Sequence, residues 1–81
     1  MKRPTHTATV WWLDAVDVPG DSTTPDAKPY PRVSTGFLLS ETDAGLTLSG
    51  TWDQPDQSCD GKTFIPRGMV QRIRRWKVPW G

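Results

Sequence analysis

Between residues 32 and 52 the chain alternates, in two successive runs, side chains that favour a core with side chains that favour water. In the first run Val33, Thr35, Phe37 and Leu39 alternate with Ser34, Gly36 and Ser40. In the second, Leu46, Leu48 and Trp52 share one parity while Thr47, Ser49 and Thr51 share the other. A period of two is that of a strand with one buried face. The intervening Thr42-Asp43-Ala44-Gly45 has the turn chemistry of a short hairpin. A chain with this centre is organised around an antiparallel hairpin. Gly36, in mid-strand, predicts a bulge or strong bend there, which a small barrel requires.

The flanks extend the pattern. Residues 7–16 are rich in β-branched and aromatic side chains, with Ala8, Val10 and Trp12 on one face of a first strand. Residues 18–31 hold Pro19, Gly20, Pro25, Pro29 and Pro31 with Asp21 and Asp26, a composition hostile to helix and central strand alike, and are read as a long loop. Residues 53–61 read as a second polar loop, after which residues 62–65 resume an extended pattern. Residues 66–77 fit two structures. Met69, Val70, Ile73 and Trp76 would share the face of a helix starting at Pro66. Alternatively, residues 66–69 form one 3₁₀ turn and residues 70–77 a short last strand. The second is preferred, because a lone helix would need a face to cover. The expected organisation is a flexible N-terminus (residues 1–6), one domain (residues 7–77) and a C-terminal tail (residues 78–81).

A chain of 81 residues is at most one domain, and one this small buries a modest share of its surface. Apolar residues make up 35%, but five tryptophans compensate in part, each able to bury roughly 150–250 Å². Monomer and homo-oligomer are both left open. The single cysteine, Cys59, excludes an intrachain disulfide, and no apolar run comes after the opening Met-Lys-Arg. These features predict a cytoplasmic protein. No stretch reaches the roughly 18–20 apolar residues of a helical membrane span.

The net charge of +1 conceals a polarised distribution. Residues 61–81 carry six cations (Lys62, Arg67, Arg72, Arg74, Arg75 and Lys77) and no acid, while all nine carboxylates fall between Asp14 and Asp60. On a closing strand Arg72, Arg74 and Trp76 would share one face with Ile73 opposite, setting two guanidinium groups beside an indole. Guanidinium forks suit phosphate or carboxylate oxygens, and the ring can stack on a base. The alternative is a surface stack, or a pairing with the acids of the long loop. Trp11 and Trp12 must point to opposite faces of a strand, so one is core and the other is exposed or in an interface. The candidate binding residues are therefore Trp11, Trp12, Arg67, Arg72, Arg74, Arg75, Trp76 and Lys77.

Catalytic chemistry finds no comparable set. His6 is the only histidine, and no nucleophile, base and orienting group can be assembled around it. Asp14 and Asp17 are better read as loop or solvent-facing acids than as an acid/base pair. Cys59 lies between Asp56 and Asp60 and reads as an ordinary loop cysteine. Asp56, Ser58, Asp60 and Gly61 copy the opening of a calcium loop, but Arg67 occupies the position where its bidentate glutamate belongs. Zinc lacks four ligands, and residues 65–68 are not a phosphate loop. Neither a cofactor nor a metal is expected, and the chain is read as non-enzymatic.

The order of these elements resembles the small β-barrels of the SH3-like and Sm-like type. Residues 35–39 (Thr-Gly-Phe-Leu-Leu) with Asp43 look like the bent-strand region of Sm-like barrels, and Phe64-Ile65-Pro66 with Val70 and Ile73 like their closing segment. The resemblance implies an all-β barrel of about five strands with a long first loop and one 3₁₀ turn. The loop by which Sm proteins grip uridine-rich RNA is not recognisable. The chain is also similar to short uncharacterised proteins of phages infecting actinobacteria, through Trp-Leu-Asp-Ala (residues 12–15), Thr-Gly-Phe-Leu-Leu (residues 35–39) and Ile-Pro-Arg-Gly-Met-Val (residues 65–70). That likeness implies an accessory protein that binds a host protein or a small anionic ligand and modulates host physiology or defence. RNA or single-stranded DNA binding is the second expectation, and a minor virion or assembly component the third.

Overall fold

The computed structural model describes residues 2–16 and 28–80. Five antiparallel strands form a single sheet: β1 (His6–Val16), β2 (Lys28–Thr42), β3 (Gly45–Asp53), β4 (Ser58–Pro66) and β5 (Val70–Lys77), with one 3₁₀ turn (Arg67–Met69) between the last two. The strand order is β4-β3-β2-β1-β5, so the chain's last strand lies against its first. The fold is all-β, with the strand count and the 3₁₀ turn that the sequence predicts. The helix over residues 66–77 is not formed. Val70 and Ile73 reach the core from a strand instead, paired with Trp12 and Val10 of β1.

Cross-strand partners share a face, so the register identifies the core side. Ala8 pairs with Gly36 and Arg75, and Val10 with Ser34 and Ile73, while Leu38 pairs with Leu48 and Leu46 with Ile65. Ala8, Val10, Leu46, Leu48 and Ile65 form the buried cluster, and Trp12, Leu38, Val70 and Ile73 pack around it. Residues from β1, β3 and β4 meet in one cluster only if the sheet curls. Two glycines permit the curl. A Cβ on Gly36 would lie 2.5 Å from the Ser49 carbonyl oxygen, and one on Gly45 2.3 Å from that of Ile65.

The alternation of the first hairpin strand is inverted relative to expectation. Ser34, Gly36 and Leu38 face inward, whereas Val33 is 62% exposed. The reason lies in the neighbours: the Ser49 backbone leaves no room for a Cβ at Gly36, and Ser34, opposite Val10, accepts the Trp12 indole N–H. The irregularity expected at Gly36 falls at Leu39, where the β2–β3 register shifts between Leu38 and Ser40. A second shift, between Trp11 and Trp12, lets Trp12 face Val70 while Trp11 faces Arg72.

Both predicted loops are corrected in their extent. Residues 18–27 of the long loop lie outside the described residues, but residues 28–31 belong to β2, with Pro29 opposite Ala15 and Pro31 opposite Leu13. Alternate residues direct their N–H to the same edge, so both prolines turn their donorless nitrogens away from β1 and its ladder continues past them. The second polar loop shortens to residues 54–57, because Asp53 pairs with Ser58 and Trp52 with Cys59. Gln57, at φ 53°, closes that turn.

The N-terminal residues, expected to be flexible, are tied to the tail. Pro4 is buried, Val78 N–H donates to Thr5 O at 2.9 Å, and Trp80 Nε1 donates to Pro4 O at 2.8 Å. Among the described residues no helix is long and apolar enough to cross a membrane.

Candidate functional site

The sheet face opposite the core is built in three rows across β5, β1 and β2: Arg72–Trp11–Val33, Arg74–Thr9–Thr35 and Trp76–Thr7–Phe37. Strand alternation alone puts these nine side chains together. At its two ends the face is aromatic and apolar, at its middle polar. There Thr9 Oγ1 and Thr35 Oγ1 are hydrogen-bonded at 2.9 Å.

Each tryptophan of this face has a guanidinium above it. Arg72 Cζ lies 4.9 Å from the centre of the Trp11 ring and Arg74 Cζ 5.2 Å from that of Trp76. A third pair comes from the two ends of the chain. Trp80 stacks on Phe37 with ring centres 6.0 Å apart, and Arg3 Cζ lies 4.8 Å from Trp80. Such contacts hold a guanidinium over a ring without committing its N–H groups to an ion pair. Among the described residues no carboxylate forms an ion pair with Arg3, Arg72 or Arg74. The three rows themselves contain no acid.

Three other arginines are engaged elsewhere. Arg75, paired with Ala8, projects to the core side and donates from Nε to Glu41 Oε1 at 3.1 Å and from its terminal nitrogen to Glu41 Oε2. Arg67 approaches the same Oε2 at 3.4 Å and donates to Thr42 O at 2.7 Å. The hydrogen bond from Arg75, helped by its charge and by Arg67, holds the Glu41 carboxyl below the ordinary carboxylate value, and partial burial opposes this. Lys77, opposite His6, shares the parity of Arg75. Arg32 bonds Asp14 at 2.9 Å.

The eight residues singled out from the sequence therefore separate. Arg72, Arg74, Trp76 and Trp11 come together on the outer face. Arg67 and Arg75 converge on Glu41 on the other side, and Trp12 packs against the core with Nε1 donating to Ser34 Oγ at 3.0 Å. Among its aromatic and cationic members, three were not anticipated. Phe37 was assigned to the opposite face, while Arg3 and Trp80 lie in the segments read as terminal tails. For Trp80 the sequence held one signal, a large aromatic one residue beyond the strand-ending Pro79.

Among the described residues no group of three His, Cys, Asp or Glu side chains gathers to hold a metal. A cavity of about 250 Å³ is lined by Leu13, Asp14, Pro29, Met69 and Val70, its one carboxylate being the Asp14 already paired with Arg32. No protein-family model, curated protein or solved structure matches the chain.

Proposed function

We propose that the chain is a non-enzymatic binding protein, of the short phage-encoded kind its motifs resemble, that engages an anionic partner through the outer face of its sheet. It would act inside the host cell, on host physiology or defence. One observation carries this reading: Arg72 and Arg74 lie over Trp11 and Trp76 on a face whose three rows hold no carboxylate. Stacked guanidinium groups are pre-oriented, so little side-chain freedom is lost when their N–H edges take up oxygens. A surface spread over three strands favours a macromolecule, since small ligands are usually held in concave sites. Support for a non-enzymatic role comes from placement. The three rows of the face hold no histidine, cysteine or carboxylate to serve as base or nucleophile.

The test uses the tagged protein and its Arg72→Glu/Arg74→Glu variant as baits in host lysate, with proteins, nucleic acids and small molecules identified in each eluate. A partner retained by the parent and lost by the variant is the expected result. Identical eluates would remove the reading.

A further inference from the structure

The outer face allows a narrower assignment, which rests on the reading above. We infer that it binds a single strand of nucleic acid, laid along β5 with its phosphates on Arg72, Arg74 and Arg3 and its bases against the guanidinium–indole stacks.

Spacing is the first argument. Arg72 and Arg74 are two residues apart on one face of one strand, about 6.6 Å of rise, an interval close to that between successive phosphates of an extended single strand. The second is the composite character of each stack. A base can lie on a guanidinium plane as well as on a ring, and Trp76, 41% exposed, offers indole surface beside its arginine. A single residue pair thus meets both the anionic and the planar part of one nucleotide.

The centre of the face separates this partner from a protein. Protein hot spots are central, apolar and desolvated, with polar groups at the rim. Here the order is reversed. The Thr9–Thr35 hydroxyl pair and Arg74 occupy the middle row, and the aromatic rings lie at the two ends. Of that pair Thr9 is buried and Thr35 exposed, so the Thr35 hydroxyl and Arg74 are the polar groups a sugar–phosphate backbone would meet in crossing from one platform to the other. A duplex would keep its bases stacked on one another and would gain only the phosphate contacts.

Fluorescence anisotropy with a labelled twelve-nucleotide oligo(dT), its RNA counterpart oligo(U) and a mixed-sequence DNA duplex of the same length tests the assignment. Three neutralised phosphates predict a salt slope near −2, hence roughly a twentyfold loss of single-strand affinity between 50 and 200 mM salt. Trp76→Ala should weaken binding about tenfold. Arg72→Gln with Arg74→Gln should weaken it further and flatten the salt slope, while Arg32→Ala, a cation on the other face, should leave it unchanged. Circular dichroism of each variant confirms that the fold persists.

No binding of either single strand at 50 mM salt overturns the inference. Equal affinity for duplex and single strand, or equal sensitivity to Arg32→Ala, also overturns it, by reducing the interaction to undirected charge. The lysate comparison keeps the two levels apart. A protein captured by the parent and lost by Arg72→Glu/Arg74→Glu, with no oligonucleotide binding, refutes the nucleic-acid assignment and leaves the face as a binding site. Failure of both experiments removes both.

Discussion

Arg75 on β5 holds Glu41 at the end of β2 by a two-pronged hydrogen bond, its Nε 3.1 Å from Oε1, although β1 lies between those two strands in the sheet. The contact reaches across the mouth of the curled sheet. Arg67, anchored by its N–H to Ala44 O at 3.0 Å, adds the 3₁₀ turn to the same carboxylate. One acid thereby joins the β2–β3 turn, the 3₁₀ turn and β5.

Stability should consequently depend on pH in the acid range. The folded-state pKa of Glu41 is depressed from its ordinary value of 4.5. Its contribution is therefore complete above that value and is lost as pH falls through the lower folded value. Glu41→Gln should cost about 1 kcal/mol at pH 7, and the gap between variant and parent should close below pH 4.5. Urea midpoints of both proteins from pH 7 to pH 3 measure this, and a constant gap would show that the carboxylate charge is immaterial.

Gly36→Ala should destabilise the protein by about 2–4 kcal/mol, because the new methyl meets backbone rather than a yielding side chain. Gly50→Ala, with no atom within 4 Å of the added carbon, should stay within about 0.5 kcal/mol of the parent. Thermal melts of the pair give the comparison. Equal losses would mean that the close approach of β2 to β3 is not what fixes the curl.

Leu46 is wholly buried, and its truncation to alanine should cost roughly 2–5 kcal/mol. In a domain this small that is a large share of the total stability, about 0.05–0.15 kcal/mol per residue. Loss of the cooperative urea transition, or its displacement to low denaturant, is the expected circular-dichroism result.

Trp80→Ala removes the stack on Phe37 and the bond to Pro4 O. The Val78 amide, bonded to Thr5 O, should then exchange with deuterium about tenfold faster. Amides of β3 should keep their parent rates. Unchanged exchange at Val78 would show that the β1–β5 ladder holds the tail unaided.

The hairpin at residues 32–52 and the 3₁₀ turn with its succeeding strand were legible because turn chemistry and strand period agree there. The inward face of β2 was not. Val33, Thr35 and Phe37 look like the apolar parity until β1 and β3 are laid alongside, and only those pairings show that Ser34 meets Val10 and the Trp12 indole while Gly36 lies against the Ser49 backbone. The grouping of Arg72, Arg74 and Trp76 came from strand alternation alone. The withdrawal of Arg67 and Arg75 did not, since Glu41 lies 34 positions from Arg75 and meets it only through the curl of the sheet. Arg3 and Trp80 escaped notice for a related reason: 76 positions separate Pro4 from Trp80, and no local pattern joins the ends of a chain.

The prolines of β2 bear on how this protein avoids its own kind. Residues 28–31 pair with β1 on one side, and the β2–β3 ladder begins only at Phe37, so the other edge of this ribbon has no described strand against it. An extended edge of that sort ordinarily invites a second chain to add itself, the first step toward fibrous aggregation. Because Pro29 and Pro31 lack the two N–H groups such a newcomer would need, the ribbon can remain long and solvent-facing without becoming a template for growth.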